Sequence, residues 1–158
     1  MSGGLAWGLL GDAFWSAVAA LGFAVLFNVP RRTLPGCALG GAVGHALRTW
    51  LTEQGLTIEL ATLASAAVVG FLGEYFARHW QAPVPVFTVP GAIPMVPGSY
   101  AFRAMLGLIQ ITNLSVFGGT PVLVEASVNA MKTALILAAI AGGIAAPSLL
   151  FQRYRPVV

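Results

Sequence analysis

The sequence predicts an all-α, polytopic integral membrane helical bundle of about five transmembrane segments, the fourth broken at a proline/glycine motif. Three observations predict it. First, 58% of the 158 residues are hydrophobic and only 8% charged, with a mean hydropathy of +0.85. Soluble domains carry about 25% charged residues, and a soluble fold of this length cannot hide so much apolar surface. Second, the apolar residues form runs long enough to cross a hydrocarbon core, which takes about 20 helical residues. Third, Pro90-Gly91-Ala92-Ile93-Pro94-Met95-Val96-Pro97-Gly98 interrupts one of these runs. Proline lacks a backbone N–H and clashes with the preceding turn, so no regular helix is expected through it. Broken backbone at membrane depth persists only where protein buries it or water reaches it.

Segment one covers residues 5–29, carries Asp12 as its only charge near the start, and ends at Pro30-Arg31-Arg32. No basic stretch or cleavage site marks it as a removed leader, so it is read as a retained span. Segment two covers 34–51. Gly36, Gly40 and Gly44 recur every four residues on one helical face, the pattern that lets a neighbouring backbone approach closely. His45 and Arg48 follow on an adjoining face. Segment three covers 58–77, with Ala66, Gly70 and Glu74 on one face and Arg78-His79 at its end. Segment four covers 86–113: an extended entry over 86–89, the proline/glycine break, then a half-helix from Ser99 that ends before Gly118-Gly119-Thr120-Pro121. Segment five covers 122–150 and is followed by the basic tail Arg153-Tyr154-Arg155. Together they make one membrane domain, 1–158. Arg31, Arg32, Arg78, Arg153 and Arg155 place the first and third loops and the C-terminus in the cytoplasm by the positive-inside rule, with the N-terminus outside and segment four crossing.

The net charge of +3 does not signify nucleic-acid binding, because no basic stripe or recognition motif accompanies it. Cys37 is the single cysteine and forms no intrachain disulfide; its apolar setting reads as a small buried hydrophobe. No metal-ligand spacing, phosphate loop or nucleophile turn is present, so neither an enzyme nor a cofactor is predicted.

The candidate substrate-binding residues are Gly98, Ser99, Tyr100, Arg103, Asn129 and Lys132. Ser99 is a natural N-cap, and the free N–H groups of a helix start carry partial positive charge. A half-helix N-terminus inside a transporter attracts carboxylates. Arg103, one turn on, adds a fixed cation, and Tyr100 and Gln110 add hydrogen-bonding capacity. Pro90, Gly91, Pro94, Pro97 and Gly98 form the break itself. Glu125, Asn129 and Lys132 share a face of segment five; Asn129 is too short to reach the surface and is expected to bond across helices or face a cavity. His45 and Glu74 are candidates for proton coupling, since intramembrane ionisable groups are functional by default. Packing explains His45 as well, and a salt bridge between Glu74 and Arg78 explains that pair. Asp12 and Arg48 are expected near the membrane surface.

The run 90–98 with Ser99-Tyr100 resembles the proline-rich signature of the threonine/serine exporter family. Phe27-Asn28-Val29-Pro30-Arg31, Gly44-His45, Arg48 and Arg153-Tyr154-Arg155-Pro156 look like its two-component members' small membrane subunit. The resemblance implies a multi-pass protein of the bacterial inner membrane, matching the C-terminal half of single-chain exporters. It also implies a larger membrane subunit as partner. The implied substrates are small carboxylates: succinate-like dicarboxylates for two-component relatives, threonine and serine for single-chain ones. The lipid bilayer is the other expected partner, with an oligomer possible in principle. Two other classes stand beside this reading. In a structural or assembly subunit, the Gly36/Gly40/Gly44 face would dock a partner. An oligomeric channel would need a continuous polar path.

Overall fold

The computed structural model describes residues 2–112 and 116–151. Six α-helices carry the chain: α1 Ser2–Leu26, α2 Leu34–Glu53, α3 Ile58–Trp80, α4 Pro85–Ala92, α5 Gly98–Ile111 and α6 Val116–Phe151. Short 3-10 turns cover Arg31–Thr33 and Ile93–Met95. No strand occurs among the described residues. Three helical stretches are long and apolar enough to cross a membrane, Trp7–Leu26, Ile58–Trp80 and Thr120–Leu150. Pro85–Met95 with Gly98–Ile111 makes a fourth if counted as one broken span. At 20 residues, α2 reaches about 30 Å, but His45, Arg48, Thr49, Thr52 and Glu53 lower its apolarity. The basic tail and Asn113 lie outside the described residues.

The chain divides into two compact units. One contains α1–α4 and the part of α6 from Ala139; the other contains α5 and α6 up to Ala138.

In the first unit, α2 is packed through two stripes of residues four apart. On one side, Cys37, Gly41, His45 and Thr49 run antiparallel to Ala24, Ala20, Ser16 and Asp12 of α1. Ala24 and Cys37 share a buried cluster. A β-carbon built on Gly41 would lie 2.6 Å from Ala20 Cβ and 2.9 Å from the Ser16 carbonyl oxygen. His45 and Thr49 both bond Asp12. On the other side, Gly36, Gly40, Gly44 and Arg48 run parallel to Phe87, Gly91 and Met95. Phe87 Cδ1 lies 2.8 Å from a β-carbon built on Gly36, and Gly91 Cα 3.6 Å from one on Gly40. The glycine face considered for docking a partner is therefore filled by α4 of the same chain. Residues four apart form the ridges of a helix, and small ones let a neighbouring backbone enter between them.

Phe87 is fully buried and sits against Phe76 and Trp80 of α3, with ring centroids 5.8 and 5.7 Å away. Ala66 and Gly70, on the small-residue face of α3, receive the second part of α6. A β-carbon built on Gly70 would lie 2.9 Å from the Ile144 carbonyl oxygen.

The broken segment differs from the sequence expectation. Residues 86–89 are helical rather than extended, and α4 continues through Pro90 and Gly91. The non-helical backbone shrinks to Val96-Pro97. Two local features explain this. Pro85 occupies the first helical turn, where no N–H is needed. Pro90 leaves the Val86 carbonyl without its i+4 donor, and the Cys37 thiol donates to that oxygen at 3.2 Å. Cys37 is thus more than a space-filling hydrophobe. Helix α6 likewise starts at Val116 and runs through Pro121, so Gly118–Pro121 is helix rather than a connecting loop. Glycine and proline are common in membrane helices because neighbouring groups re-satisfy the backbone they free.

Adjacent glycines of α6 offer a test of this packing. A β-carbon on Gly143 would meet Ala66 Cβ, Leu63 O and Ala67 N at 2.6, 2.7 and 2.8 Å; one on Gly142 meets only the Leu63 side-chain tip at 3.8 Å. Gly143→Ala is expected to destabilise by about 1–3 kcal/mol. Gly142→Ala is expected to be neutral or stabilising by up to about 1 kcal/mol. Reversible unfolding in mixed micelles measures both.

Candidate functional site

The second unit places a polar stripe between α5 and the first part of α6. Tyr100, Arg103, Gly107 and Gln110 recur at three- and four-residue steps and so line one face of α5. Gly107 is the point of closest approach: a β-carbon there would lie 2.7 Å from Ala126 Cβ. Beside this contact lies a cleft of about 280 Å³ lined by Arg103, Leu106, Gly107, Gln110, Val122, Glu125 and Ala126. It thus presents a guanidinium, a carboxylate and an amide, which can bind an anionic group, a cationic group and a hydroxyl respectively. Its volume lies near the lower bound of ligand pockets, about 300 Å³.

Lys132 stands 5.4 Å from the centroid of the Tyr100 ring, a cation–π arrangement that holds the ammonium within the hairpin. Asn129 is buried but donates from Nδ2 to the Glu125 carbonyl of its own helix at 3.0 Å. The expected bond across helices is not what it makes. Helix α5 begins at Gly98, with Pro97 in the capping position and no side-chain cap bond. Ser99 is therefore inside the first turn rather than the N-cap. The sequence-predicted residues Tyr100, Arg103, Asn129 and Lys132 thus fall in one unit with Gly98 and Ser99. Gln110 and Glu125 join Arg103 at the cleft. Glu125 was legible as an intramembrane acid next to Ala126, but its alignment with Arg103 needed the helix pairing.

In the first unit, the polar residues of α1 and α2 form a connected chain. His45 Nδ1 lies 2.8 Å from Asp12 Oδ2, and the Thr49 hydroxyl donates to the same oxygen. Arg48 Nη2 lies 2.7 Å from His45 Nε2, while Arg48 Nη1 donates to the Met95 carbonyl at 2.7 Å. A guanidinium has only donors, so Nε2 must accept and Nδ1 must carry the proton toward Asp12. The hydrogen-bond network assigns this tautomer. The Met95 carbonyl is the last before the break, where a continuing helix would have supplied the Ser99 N–H; Arg48 replaces it. Asp12 and Arg48 are half-buried, each bonded to groups of its neighbouring elements. A lone acid in one span, with a histidine and an arginine a turn apart in the next, was the signal that could have paired them.

Glu74 of α3 is placed apart from His45. It lies 3.8 Å from Arg78 across one helical turn, and it borders a separate cleft of about 320 Å³ with Val84, Pro85, Thr88, Ala141, Ile144 and Ser148. No cluster of three or more metal-ligating side chains occurs among the described residues.

Residues 12–150 match the family model described as Threonine/Serine exporter, ThrE. The chain is similar to an uncharacterized protein of Haemophilus influenzae, 41% identical over 151 residues, covering 95% of this chain and 50% of that protein. The chain thus spans about half the length of this curated relative. No solved structure matches it.

Asp12→Ala removes the acceptor shared by His45 and Thr49, and is expected to cost about 1–3 kcal/mol, the range for a donor left unpaired. Asp12→Asn keeps one acceptor oxygen and is expected to cost less. Thermal unfolding of the detergent-solubilised protein ranks the two.

Proposed function

Because the chain belongs to the threonine/serine exporter family, we propose that it is half of a secondary exporter for small carboxylates, with the α5–α6 cleft as its share of the substrate path. The observation that carries this reading is the placement of Arg103, Gln110 and Glu125 around one cleft in a chain of membrane-spanning helices. Arg103 suits the substrate carboxylate, through paired N–H donors. The uncapped first turn of α5 adds partial positive charge nearby, and Lys132 a second cation. Glu125 suits an ammonium. It would oppose a second carboxylate, which favours threonine or serine over a succinate-like dicarboxylate.

The remaining half is a second membrane segment, carried by a larger partner subunit. Supporting this is the half-length match to the Haemophilus influenzae relative. The positive residues of the loops support a bacterial inner-membrane protein with its N-terminus outside and its C-terminus in the cytoplasm. Transport, rather than catalysis, is the activity.

The test is efflux of radiolabelled L-threonine and of succinate from proteoliposomes containing this chain and its partner. Arg103→Ala is expected to slow threonine efflux by about 10–100-fold, the equivalent of a charge-assisted hydrogen bond of about 1.5–3 kcal/mol. Glu125→Gln is expected to slow threonine efflux and spare any succinate efflux. Succinate efflux in the unaltered protein that exceeds threonine efflux and is insensitive to Glu125 would reverse the choice of substrate. Absence of both fluxes, with the complex intact, would leave a structural subunit instead.

A further inference from the structure

We propose that His45 is a proton-binding site whose occupancy decides whether Arg48 holds the carbonyl end of the Ile93–Met95 turn. The inference rests on the donor–acceptor parity of the chain Asp12–His45–Arg48–Met95. With neutral His45, these three contacts are matched: Nδ1–H to Asp12, Nε2 from Arg48 at 2.7 Å, and Arg48 to the Met95 carbonyl at 2.7 Å. A protonated imidazole donates from both nitrogens. Its Nδ1–H then forms an ion pair with Asp12, which the Thr49 hydroxyl continues to bond. Its Nε2–H faces the guanidinium of Arg48, donor against donor and cation against cation. The same proton therefore strengthens the Asp12 side and expels Arg48 from the other.

Surroundings limit what else could respond. Asp12 is the only ionisable residue of α1. Pro85–Met95 contains none. On α2 itself, Arg48 lies one turn on and Glu53 two turns on. Arg31 and Arg32 precede the opposite end of α2. On α3, Val69 packs at Gly44, beside His45. Glu59 lies ten residues from Val69, about 15 Å along the helix, and Glu74 five residues, about 8 Å. Tyr75, Arg78 and His79 lie further still.

What Arg48 leaves behind is the last carbonyl before the only non-helical pair of residues in the broken segment, Val96-Pro97. Helices and turns whose terminal carbonyls lose a cationic donor fray from that end. Protonation of His45 thus loosens the backbone at the break, with Arg48 as the positioning residue through which the proton acts.

Hydrogen–deuterium exchange of the full chain, assembled with its partner in lipid vesicles, reads this without reference to any substrate. After correction for the intrinsic rate, the amides of Ile93, Met95 and Val96 are expected to lose protection by about tenfold or more between about pH 8 and about pH 5. Amides of α3 over 62–73 should keep theirs, which also reports that the fold is intact. His45→Gln is expected to stay protected at both pH values, and Arg48→Ala to exchange fast at both. Unchanged protection in the unaltered protein would overturn the proposal. So would a His45→Gln protein that keeps the pH response, or an Arg48→Ala protein protected as the unaltered one is. Loss of threonine or succinate efflux bears on the exporter reading alone.

Discussion

Everything in the first unit hangs on α2 being grooved on two sides at the same four-residue interval. One stripe, 37/41/45/49, takes α1; the other, 36/40/44/48, takes the broken segment. Without hydrophobic driving force between helices in lipid, association depends on van der Waals contact and on bonds between polar groups. The glycines supply the first by letting backbones meet, and His45, Arg48 and Thr49 supply the second at the end of each stripe. Position along α2 therefore sets what each neighbour meets: small residues and the Cys37 thiol toward one end, and a charge chain toward the other.

The break is better understood as a problem of unpaired carbonyls than of bent backbone. Pro90 removes the donor of the Val86 carbonyl, and the end of the Ile93–Met95 turn removes that of Met95; in a membrane no water stands ready to replace either. The thiol of Cys37 answers for Val86, and the guanidinium of Arg48 answers for Met95. Both donors come from α2, one near each end of the stripes described above. Because neighbouring groups cover these losses, helix persists through Pro90 and stops only at Val96-Pro97.

Much of this was legible in the residues. Hydropathy located the helices, and the glycine interval in α2 identified a face built for close approach. The proline motif marked the interrupted segment. What escaped were pairings across the chain. Nothing local to Cys37 says that it lies beside the carbonyl Pro90 releases, 49 residues on in the sequence. Asp12 and Arg48 read singly as charges seeking the membrane surface, because their bond partners come from another helix or from a backbone carbonyl. Ser99 read as a cap because it follows a proline and a glycine, yet Pro97 takes that position. The cleft residues were visible one by one; the alignment of Glu125 with Arg103 depends on Gly107 meeting Ala126.

The modest apolarity of α2 bears on how the chain enters a membrane in the first place. A lone helix carrying an arginine, a histidine and a glutamate partitions poorly from the translocon, because charged side chains oppose insertion. Its polar groups find their partners on α1, which is synthesised first, and on the Ile93–Met95 turn, made about fifty residues later. Helix α1 therefore acts as a receptor for α2 during biogenesis, with Asp12 waiting for His45 and Thr49. Arg48 stays without the Met95 carbonyl until the proline segment has been made, so the polar contacts of α2 are completed by the one that the proton at His45 controls.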